Sequence, residues 1–323
     1  MSYHRLDIHA HFLPDFYRDA LLQAGKAHPD GMPAIPAWNI EMALKLMDRL
    51  RIAAAILSIS SPGVHFGDDR AATRLARRLN EVGNDIRKQH PDRFGFFAVM
   101  PLPNIELAIA EAAYALDQLD ADGVIVESNH AGIYHGDPRF DPFYAELNYR
   151  KAAMFIHPTS PCCGEYSVLS FGYPAPMIEF MFDTTRAVAR LILSGVTQRF
   201  PDIRIIVPHA GAALPILAGR IESFTDIIEK THHISVRQEL RKLYYDLAGS
   251  PLPEQMASLG TIADHDHIFY GSDWPFTPDA EVEKLCEHLD SFALFTDSQR
   301  RAYMFENALR IFPRFRNTGT HWP

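Results

Sequence analysis

Two histidines near the beginning of the chain have the spacing of a metal-binding pair. His9 and His11 are separated by a single residue. Alternate side chains of a β-strand lie on the same face, so in a strand both imidazoles would point the same way. Two neutral imidazoles placed in this way suit a borderline divalent cation such as zinc. Because two ligands do not complete a metal site, the remaining ligands must come from other segments.

Three further polar residues stand where later apolar segments end. His157, His209 and Asp273 each follow a run of mostly apolar residues. If these runs are strands of one parallel barrel, their carboxyl ends meet on the same rim as the His9–His11 segment. Histidine and aspartate are preferred donors for Zn²⁺ or Mn²⁺, and this set would leave at least one coordination position open. Each residue alone has an ordinary structural explanation, but their joint placement predicts a metal site.

The elements that must position these residues alternate along the whole chain. Strands are predicted at Arg5–His9, Ile52–Ser60, Arg93–Met100, Gly123–Glu127, Ala152–His157, Ile203–His209, Leu243–Leu247 and His267–Asp273. Several are continuous apolar runs, which are typical of strands buried on both faces of a parallel sheet. Helical periodicity occurs between them, at Ile40–Leu50, Asp68–His90, Ile105–Leu119, Met177–Phe200, Ala213–Lys230, Leu252–Leu259 and Ala280–Leu289.

This alternation of strands and helices favours an α/β fold of the (β/α)₈ TIM-barrel type. The alternative is an open doubly wound sheet, which usually carries a glycine-rich phosphate loop after its first strand. Here the first strand is followed by His-Ala-His, and no G-x-G-x-x-G motif or P-loop occurs in the sequence. Residues 1–323 are expected to form a single barrel domain.

Two connections are long for barrel loops, and both follow strands on the rim that carries the histidines. Residues 12–39 come after the first strand and residues 158–176 after the fifth, and both are rich in proline, glycine and aromatic residues. Active sites of barrels lie on this face. We therefore expect the two insertions to form walls or lids over the site.

Composition narrows the classes of partner. The chain has 323 residues and a formal net charge of −9, which argues against nucleic acid or an anionic membrane surface as the main partner. No apolar run approaches the roughly 20 residues of a membrane span. Its 3 cysteines are too few for a disulfide framework. The first strand begins so close to the N-terminus that no signal peptide is expected, and these features together predict a cytoplasmic protein.

A second histidine pair of the same spacing has a different expected position. His265 and His267 come before the last predicted strand rather than after it. They would therefore lie at the opposite end of the barrel, where residues serve stability. This pair is not expected to bind metal.

The motifs around these residues resemble a known family. His9-Ala-His11, Ile156-His157-Pro158, Pro208-His209-Ala-Gly211 and Gly271-Ser272-Asp273-Trp-Pro275 look like those of the amidohydrolase-2 group, typified by 2-amino-3-carboxymuconate-6-semialdehyde decarboxylase. The resemblance extends from residue 4 to about residue 312. Within the group, shorter stretches such as Ile35–Trp38 are similar to 6-methylsalicylate decarboxylase-like proteins.

The resemblance implies a role for each matching residue. It makes His9, His11, His157 and Asp273 the metal ligands and His209 an acid or base beside the metal. It also suggests that Trp38 contacts substrate and that Arg220 binds a substrate carboxylate, in some members of the family across a dimer interface. Two departures stand out, since Ala212 replaces the second glycine of the common His-x-Gly-Gly and Lys45 aligns with a substrate arginine of the muconate-semialdehyde enzyme.

The resemblance further implies a reaction. It predicts a Zn²⁺- or Mn²⁺-dependent, non-oxidative decarboxylase without an organic cofactor, acting on a small ortho-hydroxyaryl acid such as 6-methylsalicylate. Asp273 would deliver the proton to carbon and His209 would assist. The enzyme is expected to be a homodimer in aromatic acid metabolism. Hydrolysis or hydration of a small carboxylated ring compound remains an alternative, as does a barrel that binds metal without catalysis.

Overall fold

A parallel barrel forms the centre of the molecule. The computed structural model describes residues 3–161, 170–228, 231 and 233–320. Its strands are β1 (Arg5–His11), β2 (Ile52–Ser58), β3 (Phe94–Val99), β4 (Gly123–Glu127), β5 (Asn129–His130), β6 (Ile133–Tyr134), β7 (Ala153–His157), β8 (Arg204–Val207), β9 (Tyr244–Asp246) and β10 (Ile268–Phe269). Eight of them pair in parallel in the order β1-β2-β3-β4-β7-β8-β9-β10, while β5 and β6 form a separate antiparallel ribbon.

Backbone hydrogen bonds join the two edges of this sheet. The amide of Ile8 donates to the carbonyl of Tyr270 at 3.1 Å, and that of His11 donates to the carbonyl of Trp274 at 2.7 Å. Every residue of β1 and β2 is buried, because helices cover the outer face of the sheet and side chains fill the interior. The predicted barrel is thus confirmed, and the open doubly wound alternative is excluded for the described residues.

Helices follow the strands on the outside of the barrel. They are α1 (Asp15–Gln23), α2 (Ile40–Leu50), α3 (Asp69–Gln89), α4 (Ile105–Asp117), α5 (Asp141–Tyr149), α6 (Glu179–Leu193), α7 (Val196–Arg199), α8 (Leu214–Thr225), α9 (Val236–Arg241), α10 (Glu254–Leu259), α11 (Asp279–Ser291), α12 (Asp297–Arg301) and α13 (Ala308–Ile311). Short 3₁₀ segments include Ala175–Met177, His209–Gly211 and His265–His267, and Ala302–Glu306 is a π-helix. Within the described residues, the helices include none with both the length and the apolarity to cross a membrane.

Two predicted elements differ from the structure. The single helix expected at 177–200 is divided into α6 and α7, because Gly195 adopts a left-handed conformation with φ of 76° between them. The long connection at 12–39 contains the helix α1, which begins at Asp15 and has Pro14 rather than a capping side chain before it, so the usual start signal is missing. At the start of α4 such a cap is present, since Oδ1 of Asn104 accepts the amide hydrogen of Leu107 at 3.2 Å. That residues 1–323 form one domain stays a prediction.

Aromatic side chains pack in the barrel interior beneath the histidines. Phe155 is 1% exposed, its ring stacks on Phe97 with 5.7 Å between centroids, and its ring also meets His9 edge-on at 4.8 Å. The ring of Phe155 thus packs against His9 from the interior of the barrel.

We expect Phe155→Ala to lower the free energy of unfolding by about 3–5 kcal/mol, since it removes buried area and leaves a cavity. Chemical denaturation of the variant and the wild type measures the difference. Tyr149→Ala, at a position 81% exposed, is the control and should change stability by less than about 0.5 kcal/mol. Equal losses in both variants would contradict the packing described here.

Candidate metal centre

Four side chains converge at the carboxyl end of the barrel. Ligand-type atoms of His9, His11, His157 and Asp273 all lie within 4.8 Å of one another. The two histidines of β1 both point inward because side chains alternate along a strand, and neither is exposed at all. His157 ends β7, and Asp273 follows β10. The structure thus brings together the four residues predicted as ligands.

Hydrogen bonds orient each of the three imidazoles in the same way. The Nδ1 atom of His9 lies 2.8 Å from Oδ2 of Asp246, that of His11 3.0 Å from Oγ of Ser58, and that of His157 2.7 Å from the carbonyl of Pro158. A carboxylate and a carbonyl only accept, and Ser58 donates its own hydrogen to the carbonyl of Ala10. Each Nδ1 therefore carries the proton, which leaves a lone pair on each Nε2; the Nε2 of His157 lies 3.3 Å from Oγ of Ser60.

These lone pairs face the cluster and suit a cation. Nε2 of His9 is buried and has no hydrogen-bond partner, although it lies 3.4 Å from Oδ1 of Asp273. Nε2 of His11 lies 3.0 Å from the same oxygen. A buried acceptor without a donor is costly unless something supplies positive charge. Three Nε2 atoms and one carboxylate are the donor set that a borderline divalent metal prefers, so the residues fit such an ion.

The electrostatics of the cluster point in the same direction. Burial lowers the pKa of His11 and lowers that of His157 well below its usual value, which keeps both in the neutral, ligating form. Burial opposes a charge on His9 too, but the carboxylates of Asp246 and Asp273 outweigh it and raise the pKa of His9 to about 9. The excess of negative charge here favours a cation, whose binding would displace that proton.

Asp246 is a functional residue that the sequence reasoning missed. It ends β9, is fully buried, and accepts hydrogen bonds from the backbone amides of His209 and Ala248, both at 2.9 Å, besides that of the His9 ring. Burial alone would raise the pKa of Asp246, but the charge and hydrogen bond of His9, together with His209 and the Ala248 amide, lower it overall. A signal was available, because Asp246 stands at the end of a predicted strand just as His157 does.

His209 lies on the opposite side of Asp273 from the His11 ring. Its Nε2 is 3.6 Å from Oδ2 of Asp273, while Oδ1 of that carboxylate faces His9 and His11. His209 and Asp273 both have left-handed backbone conformations, with φ of 55° and 58°. Such a conformation is costly for a residue with a side chain, by about 1–3 kcal/mol, and is characteristic of functional sites.

A cavity of about 530 Å³ opens onto this cluster. Both long connections contribute to its walls, since Asp30 and Met32 come from the first and Pro176 from the second, with Met177 directly after it. The expectation that these segments form walls over the site is thereby confirmed for their described parts, residues 162–169 lying outside them. Other lining side chains are apolar (Phe180, Met181, Phe276) or neutral hydrogen-bonding groups (Ser60, Ser61, Ser250, Gln255, Thr277).

Two predicted substrate contacts lie elsewhere. Trp38 is partly buried against Phe12, with 6.0 Å between ring centroids, and Arg220 is exposed on α8 beside Phe224. Neither is among the described residues that line the cavity. The structure therefore does not bring them to the cavity of their own chain. Lys45, the departure from the aligned arginine, pairs on the surface with Glu41 at 2.9 Å.

The second histidine pair is placed as predicted. His265 and His267 lie in the 3₁₀ segment that precedes β10, at the amino end of the barrel. Within the described part of the chain, the metal-type cluster found is the one formed by His9, His11, His157 and Asp273. Position relative to the strand, rather than spacing, separates the two pairs.

Comparison with known proteins gives concordant matches over almost the whole chain. The sequence model of the amidohydrolase family matches residues 6–314. The chain is 36% identical to the decarboxylase yanB of Aspergillus niger, over 96% of this chain and 88% of that protein. It is 33% identical to the 6-methylsalicylic acid decarboxylase acuB of Aspergillus aculeatus, over 97% of both chains.

Solved structures agree on the fold. A crystal structure of an amidohydrolase II superposes with a TM-score of 0.92 at 35% identity, covering 96% of this chain and 99% of that one. The dihydroxybenzoic acid decarboxylase of Polaromonas sp. JS666, solved with bound manganese and 2-nitroresorcinol, superposes with a TM-score of 0.84 at 21% identity, covering 99% of this chain and 100% of that one.

Proposed function

The chain belongs to the amidohydrolase family, and we propose that it is a metal-dependent, non-oxidative decarboxylase of small ortho-hydroxyaryl carboxylic acids such as 6-methylsalicylate. The observation that carries this proposal is the buried cluster of three Nε2 atoms and one carboxylate at the floor of the cavity. Relatives named as decarboxylases, one of them for 6-methylsalicylic acid, support the choice of reaction. The apolar and neutral cavity wall suits an aromatic ring.

His9, His11, His157 and Asp273 would hold a Zn²⁺ or Mn²⁺ ion. When bound, the ion supplies the positive charge that holds and polarises the oxygen atoms of an ortho-hydroxy acid. The manganese in the dihydroxybenzoic acid decarboxylase structure supports Mn²⁺ as one candidate. The chain's own residues then position the ring and move protons, with no organic cofactor required.

Asp273 is the residue we propose for proton transfer to carbon. Its carboxylate accepts the proton of the substrate hydroxyl group and delivers it to the ring carbon that bears the carboxylate. The carbon–carbon bond to the carboxylate then breaks, CO₂ leaves, and its electron pair restores the aromatic ring as a phenolate. His209, 3.6 Å from Oδ2 of Asp273, lies where it can supply the proton that converts phenolate to phenol.

The test is CO₂ release from a panel of hydroxybenzoates by protein of known metal content. We expect 6-methylsalicylate to give CO₂ and 3-methylphenol, and we expect chelation to abolish the activity and added Zn²⁺ or Mn²⁺ to restore it. The panel includes 2,6-dihydroxybenzoate and 5-carboxyvanillate, which differ in the polarity of their ring substituents. Ring opening or addition of water, with no CO₂ from metal-loaded protein, would contradict the proposal and favour a hydrolase or hydratase.

We also propose a homodimer formed through one apolar face of α8. Ile216, Arg220 and Phe224 are spaced by four residues and therefore share this face, and Ile216 is 73% exposed. Beyond the helix, Ile227 is 76% exposed. Monomeric proteins rarely expose so many large apolar side chains together, and the one cation among them is the predicted substrate-binding arginine. Pairing of this face would bury Arg220 near a second copy.

The same face continues toward the cavity. The hydroxyl group of Thr185 on α6 accepts the amide hydrogen of Ala213 at 3.0 Å, which holds α6 beside the start of α8. Phe182 on α6 is exposed, and Met177 is both exposed and part of the cavity wall. A dimer through this face would therefore lie next to the entrance of the cavity.

We expect the double variant Ile216→Glu/Phe224→Glu to be monomeric by analytical ultracentrifugation at concentrations where the wild type is a dimer, because pairing would bury two carboxylates without partners. Leu294→Glu, which changes an exposed leucine elsewhere, is the control and should remain dimeric. A monomeric wild type would contradict this arrangement.

We also propose a cytoplasmic location, because the low cysteine content suits a reducing compartment.

A further inference from the structure

A second cavity, of about 560 Å³, lies beside the catalytic one at the carboxyl ends of β2, β3 and β4. Its base is apolar and includes Val99, Met100, Ile125 and Val126. Asp30 contributes to the walls of both cavities, so the two are neighbours. The proposed reaction uses no residue of this second cavity, whose size is sufficient for a one-ring aromatic molecule.

Two buried polar groups in its wall have unused hydrogen-bonding capacity. Glu127, at the end of β4, is 7% exposed, and its Oε2 has no hydrogen-bond partner. His130, on β5, is 8% exposed, and its Nε2 also has none. Leaving such groups unpaired costs about 1–3 kcal/mol each, so a ligand with a hydroxyl group would be stabilised here. Both residues line the cavity, so each is a candidate partner for a polar substituent of a ligand.

The charges around the cavity favour an uncharged ligand. Among the described lining residues, the one lysine is Lys26, which is exposed at the rim rather than buried beside Glu127. Burial lowers the pKa of His130 well below its usual value, so this imidazole is neutral and supplies no positive charge. A buried anion would need a cation at this depth, and the described base of the cavity offers none. An apolar ring with one hydroxyl group satisfies the base and the wall together.

We propose that the second cavity binds an uncharged phenol, the class of molecule that decarboxylation of an ortho-hydroxyaryl acid releases. The proposal rests on the proposed function for the identity of the ligand, whereas the cavity and its unpaired groups stand independently of it. The phenol hydroxyl group lies between Glu127 and His130, and the ring lies on the apolar base. The anionic substrate is excluded by its charge.

The position of Glu127 connects this cavity to the metal centre. Its Oε2 lies 3.7 Å from Nδ1 of His157, the predicted ligand at the end of β7. Glu127 alone would therefore separate a phenol bound in this cavity from His157 of the metal cluster, and the catalytic cavity would stay free. Phenol bound here slows turnover even when substrate occupies the catalytic cavity. Excess substrate therefore does not relieve this part of the product inhibition.

The experiment uses 3-methylphenol and phenol as probes of the metal-loaded protein. Crystals soaked with 3-methylphenol are expected to show the hydroxyl group at Glu127 and His130 and the ring on the apolar base. In solution, equilibrium dialysis of labelled 3-methylphenol is expected to show that His130→Phe, which keeps a ring but removes Nε2, weakens this binding about five-fold. The same variant should lose the inhibition component that excess substrate does not relieve.

Two further variants make the result decisive. Val64→Phe, which places a larger side chain in the cavity wall, should weaken binding as well if His130→Phe proves unstable. His267→Phe is the matched control, because this histidine stacks on Tyr244 away from both cavities and should bind the probe like the wild type. Phenol found in the catalytic cavity alone, purely competitive inhibition, or binding that neither cavity variant weakens would overturn the proposal. Because dialysis needs no turnover, a protein that releases no CO₂ but binds phenol here refutes the proposed function and not the cavity.

Discussion

Asp273→Asn is expected to lower the rate of CO₂ release by about 10²–10⁴-fold, the range contributed by a positioned proton donor. Asparagine keeps the size of the side chain and one oxygen toward the cluster, but it cannot accept and deliver the proton. The Asp273 carboxylate faces three histidines, and they lower its pKa well below the usual value despite its burial. It is therefore ionised, which is the form that a proton acceptor needs.

The measurement compares CO₂ release by variant and wild type at equal, saturating metal content, determined for each preparation. Asp266→Asn serves as the control, because Asp266 pairs with Arg310 at 2.7 Å on the amino side of the barrel and should leave the rate unchanged. Substantial turnover by metal-replete Asp273→Asn protein would remove Asp273 from the proposed proton transfer.

Asp246→Asn is expected to reduce metal affinity about 10- to 100-fold, the usual effect of removing the group that orients a metal-bound histidine. The carboxylate accepts the Nδ1 hydrogen of His9 and two backbone amide hydrogens, including that of His209. An asparagine oxygen in the place of Oδ1 can keep both backbone bonds but carries no charge, and the NH₂ group then faces the Nδ1 hydrogen of His9. The His9 ring is therefore oriented less firmly, and the basicity of its Nε2 decreases.

Competition with a chelator of known affinity measures this loss, and activity is followed as metal is added. We expect excess metal to restore much of the activity of Asp246→Asn but none of that lost by Asp273→Asn. Asp264→Asn, which removes a surface partner of Arg241, controls for a general loss of negative charge. Unchanged metal affinity in Asp246→Asn would show that Asp246 does not support His9.

Local patterns were sufficient to predict the barrel and the four converging side chains. Several strands are continuous apolar runs and most helices have their own periodicity, so these elements are recognisable from their own residues. His9 and His11 share a face by strand alternation alone. The parallel barrel then places every strand end on one rim, which is why His157, His209 and Asp273 were assigned to the site without knowledge of any contact.

Other features depended on contacts between distant residues. Asp246 is 237 positions from His9, and only the folded barrel shows that its carboxylate orients the ring. The division of the predicted helix at Gly195 and the helix α1 within the first long connection depend on packing rather than on periodicity. Trp38 and Arg220 illustrate the same limit, since resemblance assigned them to substrate while the fold places both away from the cavity of their own chain.

The sequence by itself determined which polar residues meet on the carboxyl rim of the barrel, because strand alternation and the common direction of parallel strands are local rules that act on every barrel. Only the tertiary structure decided how those residues are supported and what surrounds them. The proton positions on the three imidazoles, the role of Asp246 and the two neighbouring cavities depend on side chains from strands and loops far apart in sequence. Their positions result from close packing in three dimensions, which no short-range pattern encodes.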